Sequence, residues 1–326
     1  VSVPRHHTVQ VPATTANFGP GFDAFGLAID LHLTVRTVPR ESQSERVRTD
    51  GGVGCGELAT DDGNLVWRSF AAFCEAHDVE VPDVAMVAHC EVPLQRGLGS
   101  SSAAIVAGLA LARALTGVRI GDRELVTQAS ILEGHPDNVA PALLGGLVAC
   151  ATDDDGRVVV RRVNPAPHLR PVALVPSACM ATTAARAVLP DALSRAAVAE
   201  QAARAGHVLA ALSGTWPMAV EVAGDRLHEP SRLAVMGPSG EVVAALRAAG
   251  VHAWLSGAGP SVMAAVPAVG GPSDASDGRI ADIARSHDFV LHARRFDLAG
   301  ALICPDDGCG LTGSGGCVQC PRGRLP

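Results

Sequence analysis

The chain has 326 residues, 48% of them apolar, enough to bury a sizeable core in two domains or one large one. Its 26 basic residues, all Arg, face 33 acidic ones for a net charge of -7, which argues against nonspecific nucleic-acid binding. The absence of any Lys argues against a Walker-type NTPase, a protein kinase and a pyridoxal enzyme together, since each needs one.

The N-terminal "VSVPRHHTVQVPAT" lacks the basic and apolar regions of a signal peptide, and no segment offers 18 uninterrupted apolar residues. The nine Cys are scattered, without a disulfide framework. The expectation is a cytoplasmic protein with no membrane or nucleic-acid partner.

In chain order, short strands are predicted at Thr8–Val11, Leu27–Val38 and Val84–Val92, the last ending at Pro93. A long helix, "SSSAAIVAGLALARAL", follows with Gly117 as its stop. A second, "DRELVTQASILEG", has Asp122 as a cap and ends at Gly134. "GGLVAC" and "RVVVRRV" flank "ATDDDG" as a hairpin. The Pro-rich "NPAPHLRP" (Asn164–Pro171) marks the best domain boundary. Beyond it come the strand "PVALVP", a helix from about Pro190 to Leu212, and the helix "SGEVVAALRAAG". The strands "VHAWLSG" and "SVMAAVP", the helix "RIADIARS" and the strand "DFVLHARRF" complete an α+β pattern. Val269–Asp277 reads as a flexible loop. The tail after Ile303 carries Cys304, Cys309, Cys317 and Cys320. Only the last pair has a usual zinc spacing, and the Gly/Ser-rich interior reads as a disordered tail.

Five stretches carry chemistry. In "VPLQRGLGSSSAAIVAG", Gly97 and Gly99 let backbone approach an anion, and Ser100 and Ser101 fall on the first helical turn. Unpaired N–H groups and roughly half a unit of dipole charge converge there, enough to cradle phosphates without a lysine. The plainer reading is a strand-to-helix turn with a serine cap. "LEGHPDN" puts Glu133, His135, Asp137 and Asn138 within six residues; a carboxylate there could complete Mg2+ coordination, though turn formers alone would explain the stretch. "NFGPGFD" presents Asn17 and Asp23 for an ammonium or hydroxyl, or is an ordinary loop. Arg186 in "TTAARAVLP" and Arg232 in "LHEPSR" could grip a carboxylate as forks, or simply meet water. "SGAGPS" (Ser256–Ser261) is a small-residue turn that lets backbone approach a ligand, or a simple hairpin.

Together and in order, these segments resemble the GHMP kinase superfamily and, within it, the homoserine kinase family, over roughly Val9 to Ile303. "PATTANFGPGFDAFGLA", "PLQRGLGSSSAA" and "EGHPDNVAPALLGG" carry the resemblance most specifically. It implies an α+β two-domain fold: residues 1–164 as the ATP-binding domain with a left-handed βαβ crossover, 165–303 as a ferredoxin-like α/β sandwich, and 304–326 as a tail. It also implies ATP-dependent phosphorylation of the L-homoserine hydroxyl, for threonine synthesis, by a homodimer. By position, Pro93, Arg96, Gly97, Leu98, Gly99, Ser100, Ser101 and Ser102 would wrap ATP, with Ser100 or Ser101 and Glu133 holding Mg2+. Asn17, Asp23, His135, Asn138, Thr182, Arg186, Arg232 and Gly259 would line the substrate site. Asp23 would take the α-ammonium and the arginines the α-carboxylate, with Asn138, Glu133 and Arg186 the catalytic group. Ser102 stands where relatives usually have Ala and is expected on the helix exterior; Phe18 replaces a commoner Leu as a packing change. A mevalonate- or sugar-type kinase, or a catalytically silent ligand-binding homologue, are the competing readings.

Overall fold

The computed structural model describes residues 6–40, 44–53, 58–268 and 275–305. The first part of the chain runs β1 (Thr8–Asn17), β2 (Gly21–Pro39), β3 (Val47–Gly52), α1 (Leu65–Ala76), β4 (Val84–Cys90), α2 (Ser100–Thr116), α3 (Asp122–Glu133), α4 (Pro136–Leu144), β5 (Leu147–Thr152) and β6 (Val158–Val163). The second runs β7 (Leu169–Pro176), α5 (Thr182–Ala187), α6 (Arg195–Leu212), α7 (Glu229–Val235), α8 (Gly237–Ala248), β8 (His252–Leu255), β9 (Val262–Pro267), α9 (Ala275–Ser286), β10 (Phe289–Ala293) and β11 (Leu302–Cys304).

β2 organises the first sheet. One of its edges pairs antiparallel with β1 along nearly its whole length; the other is shared between β4 and β5. β3 lies parallel to β4 and connects to it through α1, the crossover unit. The Pro-rich stretch falls between β6 and β7, where the chain leaves this sheet. The second sheet is antiparallel in the order β10-β7-β9-β8. Numbering its strands along the chain gives 4-1-3-2, with helices between first and second and between third and fourth, which is the ferredoxin-like arrangement. β11 does not join it: Thr8 to Gln10 of β1 pair with Leu302 to Cys304, so the chain's last described strand returns to the first sheet.

Both sheets bury apolar side chains against helices. Every residue of β1 after Thr8 is buried, as expected of a strand covered on both faces. α2 passes through the first core with Ile105, Val106, Leu109 and Leu111 buried, and Gly117 in the left-handed conformation ends it. Its Arg113, which interrupts the apolar run, is buried and pairs with Asp122 at 3.1 Å. Asp122 is the first helical residue of α3 rather than its cap; Gly121 occupies the cap. The helix expected from Pro190 begins at Arg195, where Ser194 caps the Ala197 N–H. The loop expected over Val269–Asp277 gives way to α9 at Ala275; residues 269–274 lie outside the described residues, as do 306–326 with Cys309, Cys317 and Cys320. Phe18 is fully buried and meets Trp254 edge-on at 5.4 Å, so the packing expectation for it is met and it joins the two sheets.

Candidate active site

Six segments converge on one cleft between the sheets: the β1–β2 turn, the loop entering α2, the α3–α4 junction, the start of α5, α7 at Arg232, and the β8–β9 turn. The first two are shaped by unusual backbone. Asn17, Phe18, Gly19 and Asp23 all have positive φ (73°, 53°, 84° and 54°), tolerable for Asn and Asp but costly for Phe. The Asn17 side chain stabilises the turn, accepting from the Asp23 N–H at 3.2 Å and donating to the Gly257 carbonyl at 3.0 Å.

In the second loop the glycines are obligatory. Gly97 and Gly99 sit at φ 72° and 69°; a Cβ on Gly97 would lie 2.1 Å from the Ser256 carbonyl, and one on Gly99 2.0 Å from Thr14 Oγ1. Gly99 caps α2 without a side-chain hydrogen bond, so the N–H groups of the first helical turn have no carbonyl within the helix. Ser100, Ser101 and Ser102 on that turn line the cleft. Arg96 points elsewhere. Its Nε, Nη1 and Nη2 donate to the carbonyls of Pro176, Leu94 and Ser177 at 3.0, 3.0 and 2.7 Å, tying the loop to the end of β7. Leu98 is buried in the core, and its carbonyl accepts the Thr14 N–H. Arg96, Leu98 and Pro93 thus support the loop and do not line the cleft.

Glu133, the last residue of α3, faces α2. Its Oε1 accepts hydroxyls from Ser101 at 2.6 Å and Ser102 at 2.8 Å. The serines that reach this carboxylate are therefore Ser101 and Ser102, while Ser100 makes no such bond. Ser102 is fully buried, not exterior as its helical position suggests, because Glu133 draws its hydroxyl inward. Oε2 has no partner among the described residues.

The next residues open α4 instead of forming a plain loop. His135 is its N-cap and Pro136 its first residue, which puts Asp137 and Asn138 on the first turn, both buried. His135 Nδ1 lies 2.6 Å from Asp137 Oδ1. Burial opposes protonation of this imidazole. The Asp137 hydrogen bond and the charges of Asp137, Asp23 and Glu133 outweigh it, and the pKa is raised above 6.5. Asp23, His135 and Asp137 bring atoms that could bind a metal within 4.8 Å of one another, but the hydrogen bond and an arginine already engage all three. Asn138 Oδ1 accepts the Thr14 hydroxyl at 2.8 Å, which fixes the amide. Sequence reasoning missed Thr14; the "TT" before Asn17 is its only signal.

Arg186 on α5 grips Asp23 as a fork, Nη1 to Oδ2 at 3.0 Å and Nη2 to Oδ1 at 2.8 Å. Arg232 on α7 is buried at 2% exposure, far from the surface arginine that its turn-like context suggested. Its Nε donates to the Ala185 carbonyl and its Nη1 to the Gly257 carbonyl, each at 3.0 Å; Nη2 has no partner among the described residues. Burial, and then the charge of Arg186, lower its pKa to about 10, so it stays cationic at neutral pH. Thr182, at the start of α5, lines the cleft. Gly259 does not: a Cβ there would meet Leu255 and Met236, and Gly257 and Ala258 line the cleft in its place.

Residues 64–146 match the family described as GHMP kinases N terminal domain. The chain is 42% identical over 258 residues to a homoserine kinase of Synechococcus, covering 78% of this chain and 84% of that one. It is 40% identical over 269 residues to a homoserine kinase of Clavibacter michiganensis, covering 79% and 82%. A crystal structure of homoserine kinase from Cytophaga hutchinsonii superposes with a TM-score of 0.77 at 26% identity, covering 93% of this chain and 99% of that one. Leishmania major mevalonate kinase shares the fold alone, at a TM-score of 0.62 and 14% identity over 88% and 94% of the two chains. With this similarity running through both sheets, the chain belongs to the homoserine kinase family of the GHMP kinases.

Proposed function

We propose that this chain transfers the γ-phosphoryl group of ATP to the side-chain hydroxyl of L-homoserine, giving ADP and O-phospho-L-homoserine for threonine biosynthesis. The observation that carries this reading is the meeting of the α2 N-terminus with the Asp23–Arg186 pair in one cleft. A helix start without a side-chain cap suits phosphate oxygens. A carboxylate beside guanidinium forks suits the ammonium and carboxylate of an α-amino acid. A mevalonate or a sugar has no ammonium for Asp23.

In this reading Arg96 is not the counter-charge of the phosphates, since its guanidinium is turned onto three carbonyls and does not line the cleft. The α2 N-terminus and Mg2+ supply it. Glu133 with the hydroxyl oxygens of Ser101 and Ser102 offers the hard oxygen donors that Mg2+ takes, and Oε2 is available. A bound Mg2+ would neutralise charge on the transferring phosphoryl group. The protein's own contribution is placement. Arg186 and Arg232 hold the carboxylate, Asp23 the ammonium, and Asn138 directs its Nδ2 to the hydroxyl because Thr14 occupies its Oδ1. Phosphoryl transfer has a loose transition state, so in-line alignment and charge neutralisation supply most of the rate without a committed protein base. A homodimer, expected from the family resemblance, belongs to the proposal and is checked by sedimentation equilibrium.

Phosphorus NMR of the chain with ATP, Mg2+ and L-homoserine tests the reaction. A new phosphomonoester resonance rising in step with ADP is the expected result; ADP without that resonance would refute it.

A further inference from the structure

Between the β1–β2 turn and Arg232 lies a fully buried histidine, His228, whose two ring nitrogens have different partners. Nε2 is 2.9 Å from the Gly19 carbonyl, and Nδ1 is 3.3 Å from Arg232 Nη1. A guanidinium can only donate, so Nδ1 must hold a lone pair and Nε2 the proton, which goes to the Gly19 carbonyl. One neutral tautomer satisfies both contacts. The ring is held in plane by Phe22, stacked on it at 5.2 Å, while Arg186 and Arg232 lie 5.5 and 5.3 Å from the same phenyl ring. Its backbone is fixed as well, because Asp225 Oδ2 accepts the N–H groups of Leu227, His228 and Glu229.

We propose that His228 is a positioning residue for the amino-acid end of the substrate. Its lone pair and the Gly257 carbonyl share Arg232 Nη1, and the Ala185 carbonyl takes Nε. That arrangement leaves Nη2 to be offered to the carboxylate. The Nε2 proton holds the Gly19 carbonyl, four residues from Asp23. One imidazole thereby registers the carboxylate-binding arginine against the turn that carries the ammonium-binding carboxylate. Both partners belong to segments that line the cleft: Arg232 itself, and the turn between Asn17 and Asp23. The inference rests on the reading of this cleft as a homoserine site.

The two functions can be separated by substitution. In His228→Gln the amide nitrogen stands near Nε2 and keeps a donor for Gly19, while the acceptor for Arg232 is lost. In His228→Asn the amide oxygen stands near Nδ1 and keeps that acceptor. Steady-state kinetics of the full chain should give His228→Gln a homoserine KM about tenfold higher, the worth of one charged hydrogen bond. Its kcat and its KM for ATP should stay within about twofold, and His228→Asn should recover most of the homoserine KM. An unchanged homoserine KM in His228→Gln, or equal losses for both substrates in both variants, would overturn the proposal. Nitrogen NMR of the unsubstituted chain supplies a readout independent of variant folding: the Nε2–H tautomer is expected for His228, and an Nδ1–H tautomer would contradict it. Turnover of homoserine by the unsubstituted chain tests the underlying substrate reading separately.

Discussion

Arg186 and Asp23, far apart in sequence, close on each other in the cleft through two hydrogen bonds of 2.8 and 3.0 Å. Each is the other's counter-ion, and each is about one-third exposed, at 36% and 33%. Solvent screening makes such a pair cheap to open. Under the proposed function, an amino-acid zwitterion would exchange it for two new pairs, ammonium with Asp23 and carboxylate with Arg186, without leaving either charge unpaired. Arg186→Ala should therefore raise the homoserine KM by about ten- to a hundredfold, the range for charged hydrogen bonds, with a smaller change in the KM for ATP. Steady-state kinetics with each substrate varied in turn checks this; an ATP KM that rises equally would place Arg186 elsewhere in the mechanism.

Glu133 gathers two hydroxyls on one oxygen. Glu133→Gln keeps the shape and removes the charge. Turnover should fall at least about a hundredfold, as for the loss of a strong electrostatic contact to the transition state. The Mg2+ concentration for half-maximal rate should rise as well. Titrating Mg2+ against rate is the check, and an unaltered Mg2+ curve would remove Glu133 from the metal site.

Thr14 acts through Asn138. Thr14→Val retains the side chain's shape but frees the amide oxygen, leaving the Asn138 amide oriented by the longer contact of its Nδ2 with Asp137 Oδ1 at 3.4 Å. The loss should appear in kcat, by about five- to tenfold for one hydrogen bond of about 1 kcal/mol, with the KM for ATP unchanged.

His135 links the site to pH. Its folded pKa is raised above the unfolded 6.5, so the protonated form is favoured by folding. That stabilisation is fully present below about pH 6.5 and is lost as pH rises through the folded value. Thermal melting of the wild type and of His135→Asn should differ most at the acid end of this window and converge above it. A difference that grows with pH would reverse the sign of the argument.

Much of the architecture was readable in the sequence because periodicity and stop residues agree there. α2 ends at Gly117 and α3 at Gly134 as their glycines dictate, and β5 and β6 flank "ATDDDG" as a hairpin. The α4 start was hidden in turn-forming residues, although Pro136 after His135 is a helix-start signal that could have been used. Side-chain direction was not readable. Nothing local says that the Arg96 guanidinium bends back onto three carbonyls, or that Ser102 turns inward to Glu133. The burial of Arg232 depends on Gly257 and Ala185, contributed from distant segments. The residues that line the cleft were largely legible as a set; which of them turn into it was decided by tertiary packing.

The acceptor is decided by coupled ADP release measured with homoserine, mevalonate and galactose at equal concentrations, with ATP and Mg2+. ADP is expected with homoserine alone. Preferred turnover of mevalonate or galactose, or ATP binding with no turnover of any acceptor, would contradict it.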